Sequence, residues 1–197
     1  MRTGRLEAFS DGVLAIIITI MVLELHDPEG HDWHDLQHAV PTLLTYLLSF
    51  AYIGIYWTNH HHMIAATRRV TGGVLWANLH LLFWLSLVPW TTSWLGSSHF
   101  AQVPAAVYGI SLLMPAIAYF ILQRVIIHDQ GPDSLLAAAL GRDRKGKMSP
   151  VLYAAGIVFA LVDLVPVSMA FYTLVALMWI VPDRRVESRL TAGVGEP

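Results

Sequence analysis

The stretch RLEAFSDGVLAIIITIMVLEL, residues 5–25, places an Arg, a Glu, a Ser and an Asp directly before an almost unbroken apolar run. One interpretation is that Ser10 or Asp11 caps a short helix, since both residue types are favoured at N-caps. A helix capped by Asp11 would have only about 14 residues before the next loop, fewer than the roughly 20 that cross a bilayer. We therefore predict that the helix begins nearer Thr3 or Gly4 and carries Ser10 and Asp11 inside it.

The whole chain has the composition of an integral membrane protein. Of its 197 residues, 55% are hydrophobic and 13% are charged, and the mean hydropathy is +0.55. Soluble domains typically carry about 25% charged residues. The chain contains no cysteine, which excludes disulfide frameworks and thiolate chemistry. No small-residue cleavage site follows the first apolar run, so we expect that run to be retained rather than removed as a signal peptide.

Hydropathy and length predict an all-α membrane protein with six transmembrane helices. The apolar segment 148–181 is too long for one span, and its LVDLVPVS sequence is typical of a tight turn between two shorter helices. Residues 1–185 would then form a single six-span domain, followed by a C-terminal tail at 186–197. A short helix is also expected to start near Ser134. The predicted spans are 6–25, 40–62, 74–95, 103–127, 148–162 and 166–181.

The positions of the basic residues support six spans. The three loops on the opposite side contain no Lys or Arg, and the first of them, HDPEGHDWHD, is acidic. Lys and Arg are in excess in cytoplasmic loops, so we predict that both termini are cytoplasmic. All twelve basic residues fall on that side: Arg2, Arg5, Arg68, Arg69, Arg124, Arg142, Arg144, Lys145, Lys147, Arg184, Arg185 and Arg189.

Polar groups on spans two and three are candidate partners for the polar start of span one. Span two ends in YWTNHHHM, and span three begins with LWANLH. An ionisable side chain within a span costs about 1–3 kcal/mol unless it is partnered or reaches water. We expect hydrogen bonds to Asp11 from this set, with Asn78 and one of His60 or His61 favoured, whereas His62 is assigned to the interfacial belt. The candidate partners are Trp57, His60, His61, Trp76 and Asn78.

A metal site is not predicted. Three consecutive histidines point in different directions on a helix, because neighbours on one face lie three or four residues apart. His34 and His38 have better spacing and lie beside Asp35, but no third strong ligand is evident in that loop. We expect neither a metal ion nor another cofactor.

Beyond Asp11, the first span is apolar except for Thr19. Ile16, Ile20 and Leu23 follow the spacing i, i+4, i+7 and share one helix face. Taken alone, this pattern favours lipid-facing or bundle-packing residues. A single helix cannot enclose a pore, but copies arranged around an oligomer axis could, and hydrophobic constrictions of that type gate by dewetting.

Together these residues resemble a known channel family. RLEAFSD resembles the first-helix signature of the TMEM175 family of lysosomal and prokaryotic potassium channels, in which an Arg and three intervening residues precede Phe-Ser-Asp. Arg5, Phe9, Ser10 and Asp11 occupy those positions. YWTNHHHM is similar to the end of the family's second helix, and LWANLHLLFWLSLVPW is similar to its third helix, with an Asn-Leu pair and a later Pro. A single six-span unit is similar to the prokaryotic members.

The resemblance implies a homotetramer in a prokaryotic plasma membrane, with four first helices lining a central ion pathway. It implies that Ile16 forms the narrowest hydrophobic ring, that Ile20 and Leu23 continue it outward, and that Thr19 offers hydroxyls beside it. Ala15 is apolar where some members carry a hydroxyl, a departure that bears on potassium selectivity. The signature is implied to hold the pore helix against helices two and three through Arg5, Phe9, Ser10 and Asp11.

The expected function is therefore a potassium-permeable, leak-type cation channel without enzymatic activity. Its expected partners are the lipid bilayer, further copies of the chain and potassium ions, with no nucleic acid. One alternative is a proton- or ion-coupled secondary transporter that uses Asp11 and the histidines of span two as a relay. Discontinuous helices and inverted repeats would support it. The other alternative, a membrane enzyme with histidine metal ligands, lacks a carboxylate–histidine set on one helix face.

Overall fold

The computed structural model describes residues 3–28, 30–131, 134–140 and 144–180, and over these ranges the chain is α-helical with short connections. Arg2, Arg142, Arg184, Arg185 and the predicted tail at 186–197 with Arg189 lie outside the described residues. The helices are α1 (Thr3–Leu23), α2 (Trp33–Ala65), α3 (Gly72–Ser86), α4 (Val88–Ser97), α5 (Gln102–Gln130), α6 (Leu135–Leu140), α7 (Arg144–Leu161) and α8 (Val165–Ile180).

Four units in the described part of the chain are long and apolar enough to cross a membrane. They are α1, α2, α5 and the joined pair α3–α4, while α8 is a shorter apolar helix. α1 begins at Thr3, so that Ser10 and Asp11 lie inside it, as the span-length argument predicts. The short helix expected near Ser134 is α6, and the Ser134 hydroxyl accepts a hydrogen bond from the Ala137 amide at its start.

α2 begins earlier than the expected span at 40–62. Its first residue is Trp33, and the Asp35 carboxylate accepts a hydrogen bond from the Asp32 amide at 3.0 Å. This bond satisfies one of the backbone donors that a helix start leaves without an intrahelical partner. The first turns of α2 are polar, HDLQH, so the helix extends beyond the apolar segment from which the span at 40–62 was predicted.

The third predicted span, at 74–95, is broken into two helices. α3 ends at Ser86 and α4 begins at Val88, with Pro89 in the first turn of α4. Proline has no N–H to donate, and its ring clashes with the carbonyl four residues earlier, here that of Leu85, which explains an interruption in the turn before Pro89. Pro115, by contrast, lies inside an uninterrupted α5.

The last two helices form a hairpin through the turn predicted in LVDLVPVS. α7 ends at Leu161, α8 starts at Val165, and Asp163 between them has a φ of 63°. Asp tolerates this left-handed backbone better than most side chains do. The hairpin packs on α5 through Tyr172, whose ring lies against Gly109 and Gly156 with no room for a Cβ atom at either glycine.

The buried apolar residues form two clusters. One joins α1, α2, α3 and α5, and the other joins α2, α4, α5, α7 and α8. α2 and α5 contribute to both clusters and therefore form the centre of the bundle. α1 and the α7–α8 hairpin pack on opposite sides of that centre.

Candidate functional site

α1 buries one face and leaves the other uncovered in the single chain. The buried face consists of Leu6, Ser10, Leu14, Ile17 and Met21. On the uncovered face the exposed fractions are 58% for Ile16, 42% for Ile20 and 77% for Leu23. Thr19 lies on this face as well, and its hydroxyl donates to the Ile16 carbonyl at 2.9 Å. These four residues form what we call the α1 stripe.

A buried chain of hydrogen bonds fastens α1 to α2 and α3. The Asn78 amide nitrogen on α3 donates to the Ser10 hydroxyl on α1 at 3.0 Å, and Ser10 donates to the Leu6 carbonyl at 2.9 Å. His60 Nε2 on α2 lies 2.7 Å from the Asn78 amide oxygen. All three side chains are at most 1% exposed. We call His60, Asn78 and Ser10 the buried ladder.

The ladder fixes the hydrogen positions of its histidine. The Asn78 oxygen can only accept, so His60 Nε2 carries the proton and donates it. His60 Nδ1 is buried and has no hydrogen-bond partner among the described residues. A protonated Nδ1 would bury an N–H group without an acceptor there, and such groups are costly in a dry core. The geometry therefore fits a neutral, structural imidazole.

Asp11 and Glu7 form a second, more exposed row of contacts between α1 and α2. The Trp57 indole nitrogen donates to an Asp11 carboxylate oxygen at 3.1 Å. One turn away, His61 Nδ1 lies 2.9 Å from a Glu7 carboxylate oxygen. The sequence analysis did not select Glu7. Glu7 precedes Asp11 by four residues, as Trp57 precedes His61, and this spacing places both contacts along one interface between α1 and α2.

Three of the expected support residues do not join these contacts. Arg5 is exposed and has no hydrogen-bond or ion-pair partner in the part of the chain that the structure describes. Trp76 is 75% exposed on α3, and Phe9 of the signature is 52% exposed on α1. The structure thus brings together Ser10, Asp11, Trp57, His60, His61 and Asn78, and leaves Arg5, Phe9 and Trp76 on the surface of the single chain.

The histidines do not assemble a metal centre. Within the described ranges, no three His, Asp or Glu side chains converge on a position that could hold a metal ion. The rings of His34 and His38 pack edge to face with centroids 4.8 Å apart. Asp35 points back to the start of α2, where it accepts a backbone hydrogen bond.

Comparison with known proteins identifies the family. The family model described as the endosomal/lysosomal potassium channel TMEM175 matches residues 5–89. A protein from Chryseobacterium sp., named Potassium channel HX13_20290, is 55% identical over 191 residues, which cover 96% of this chain and 98% of that protein. The chain belongs to the TMEM175 family.

Two further relatives agree with this membership. The crystal structure of a lysosomal potassium-selective channel TMEM175 homolog from Chamaesiphon minutus matches with a TM-score of 0.78 and 30% sequence identity, covering 91% of this chain and 96% of that one. A Streptomyces collinus protein named Potassium channel B446_29190 is 38% identical over 125 residues, 59% of this chain and 61% of that protein. The names are those of channels, not enzymes, and with the apolar helices they identify an integral membrane protein.

Proposed function

We propose that the chain forms a potassium-permeable, leak-type cation channel whose ion pathway is lined by α1. The observation that carries this proposal is the α1 stripe, whose apolar residues Ile16, Ile20 and Leu23 are 58%, 42% and 77% exposed in the single chain, on a helix whose other face is packed. The family membership and the relatives named potassium channels support the same function. Potassium is the transported ion, and the proposed channel needs no cofactor.

The proposed assembly is a homotetramer in which four copies of α1 surround the axis. A second copy of the chain would also cover the apolar aromatic side chains beside the stripe. Trp76 is 75% exposed and Trp90 is 58% exposed on α3 and α4. A groove of about 370 Å³ lies between α1 and α4, lined in part by Val13, Ile20 and Trp90. In the proposed tetramer, side chains of a neighbouring subunit would pack into this groove.

The proposed membrane topology has six spans in residues 1–185, with α7 and α8 as the two shorter ones and 186–197 as a tail. Both termini would face the cytoplasm of a prokaryotic cell, across its plasma membrane. The described basic residues support this orientation because they cluster where α1 begins, where α2 and α5 end and where α7 begins: Arg5, Arg68, Arg69, Arg124, Lys145 and Lys147. We call this end of the bundle the basic end.

The proposed gate is a ring of Ile16 side chains, continued by Ile20 and Leu23. A ring of isoleucines cannot replace the water that a hydrated potassium ion must shed, so conduction requires the ring to widen. Thr19 adds a hydroxyl near the ring, whereas Ala15 adds none. The buried ladder would hold the opposite face of α1, so that widening is a movement of the packed helix rather than its unfolding.

A coupled transporter has less support. The break between α3 and α4 is a discontinuity of the kind that transporters use. However, the hydroxyls beside it, Thr91 and Thr92, already bond to Ser111 and Ser49. His60 Nδ1 faces no acceptor among the described residues, so a proton on His60 would have no onward step there.

The test is potassium flux through purified protein in liposomes, with Ile16→Asn as the variant. We expect Ile16→Asn to raise flux and to change the ratio of potassium to sodium flux, because an amide ring can hydrate the constriction. The matched control is Val158→Asn, which places the same side chain at an equally exposed position, 58%, on α7. Native mass spectrometry should show four copies in both variants. Equal flux in wild type and Ile16→Asn would refute the constriction.

A further inference from the structure

A cavity of about 50 Å³ lies near the basic end between α2, α5, α7 and α8, away from α1. Its lining is mainly aromatic and includes Tyr56, Phe120, Tyr153 and Trp179. At one wall, the Trp179 indole donates to the Ser149 hydroxyl at 2.8 Å, which ties α8 to α7. No Asp, Glu, Lys or Arg side chain is among the residues that line it in the described structure. The cavity is therefore uncharged and mostly apolar.

One polar group lines this cavity without a hydrogen bond to another described residue. It is the amide of Gln123 on α5, whose side chain is only 6% exposed and whose polar atoms reach the cavity space. A buried amide without a partner is costly, so such groups are usually satisfied by water or by a ligand. The amide offers two donors and one acceptor oxygen to whatever enters. This unsatisfied group indicates that the cavity is built to receive a small polar moiety.

A basic side chain stands at the rim of the cavity on the side of the basic end. Arg124 follows Phe120 by one helical turn, and its guanidinium lies 4.8 Å from the centroid of the Phe120 ring. Arg124 has no carboxylate partner among the described residues. An uncharged cavity with a cationic rim is complementary to a ligand with an anionic group outside and a neutral polar group inside.

The depth of this rim matches the lipid headgroups. α5 has 29 residues, or about 43 Å at about 1.5 Å per residue, against about 30 Å of hydrocarbon. Arg124 precedes the end of α5 at Gln130 by six residues, which is about 9 Å. With the excess length shared between the two sides, Arg124 lies close to the boundary between hydrocarbon and headgroups. Basic pockets between helices at this depth bind anionic lipids.

We propose that this cavity and its rim bind one anionic phospholipid of the leaflet at the basic end. The lipid phosphate lies against Arg124, and a hydroxyl or ester oxygen of the lipid enters the cavity and bonds to the Gln123 amide. The cavity has the volume of about two water molecules, at about 30 Å³ each, so it accepts such a group and excludes an acyl chain. The acyl chains lie along the outer faces of α5 and α7.

The experiment measures binding of phosphatidylglycerol to the purified full-length protein by native mass spectrometry, with phosphatidylcholine of the same acyl chains as the comparison. Wild type is expected to bind phosphatidylglycerol more tightly. Arg124→Gln is expected to lower that affinity about fivefold, the loss that corresponds to one basic residue near a membrane surface. Arg69→Gln removes the same charge from the exposed α2–α3 connection and should leave the affinity unchanged. Equal losses in both variants would show nonspecific attraction and overturn the site.

The variant Gln123→Leu tests the role of the cavity independently of the rim. Leucine has a similar size and no polar group, so the lipid-free protein should keep or raise its melting temperature. The same variant should lose affinity for phosphatidylglycerol and show a smaller rise in melting temperature when that lipid is added. Unchanged lipid affinity in Gln123→Leu would overturn the placement of the lipid in the cavity. Neither measurement involves ion flux, so the outcome is independent of the proposed channel activity.

Discussion

The buried ladder makes a quantitative prediction for Asn78→Leu. This change removes the hydrogen bonds to His60 and to Ser10 and replaces the amide by an apolar group of similar size. Ser10 keeps its bond to the Leu6 carbonyl, whereas the His60 Nε2–H loses its only partner in the described structure. Side-chain bonds between membrane helices average about 0.6 kcal/mol and reach about 1.7, and an orphaned buried donor costs about 1–3 kcal/mol. We expect a total loss of about 2 kcal/mol in the free energy of unfolding.

A double-mutant cycle with His60→Leu tests the origin of that loss. The double variant has no orphaned imidazole, so its destabilisation should fall about 1 kcal/mol short of the sum of the two single variants, a coupling within the range for contacting residues. The assay is reversible unfolding by sodium dodecyl sulfate in mixed micelles, followed by tryptophan fluorescence.

The control for the cycle is Thr58→Ala on α2. Among the described residues, the Thr58 hydroxyl bonds only within its own helix, to the Gly54 carbonyl at 3.0 Å. Its loss should cost less than about 0.5 kcal/mol and should add independently to Asn78→Leu, as unconnected sites do. If Asn78→Leu and His60→Leu were also additive, the ladder would not couple α2 to α3 and our reasoning would fail.

Two further predictions concern the α7–α8 hairpin. Gly109→Ala would place a Cβ atom against the Tyr172 side chain and should lower the free energy of unfolding by about 1–3 kcal/mol through overpacking, measured by the same micelle titration. Gly54→Ala, with nothing within 4 Å of the new atom, should instead be neutral or stabilising by up to about 1 kcal/mol. Equal effects of the two substitutions would contradict the close approach of Tyr172 to Gly109. Asp163→Val should lower stability by about 1–2 kcal/mol because the turn has a φ of 63°, whereas Asp163→Gly should keep or raise it; a fully tolerated valine would argue against the left-handed turn.

The presence of the helices and two of their boundaries could be predicted from the sequence, because these features depend on residues close together in the chain. The length needed to cross a bilayer set the start of α1 at Thr3, and the Asp and Pro of LVDLVPVS marked the turn around Asp163. The start of α2 at Trp33 was missed because its first turns are polar and hydropathy does not register them. The break after Ser86 was missed because one proline can kink, break or leave a helix intact, as the intact α5 around Pro115 demonstrates.

The candidate site was predictable in residue type but not in geometry. Depth along the spans selected Asn78 and one of His60 or His61 as partners of Asp11. That pairing was wrong, because Asp11 bonds to Trp57, whereas Asn78 and His60 form one chain of bonds with Ser10. Depth does not determine how each helix is rotated about its axis. For that reason Trp76 was expected as a partner but faces outward, and Glu7 was overlooked although it pairs with His61.

The most direct test of the central claim, that the α1 stripe meets the ion, is thiol accessibility at Ile16. The chain has no cysteine, so Ile16→Cys introduces a single reactive site into the protein. Liposome potassium flux should change sharply when Ile16→Cys is treated with a cationic methanethiosulfonate reagent, and potassium should slow the modification. Val158→Cys, on the exposed face of α7, should show no change in flux. A flux through Ile16→Cys that stays constant after modification is verified by mass spectrometry would contradict the account.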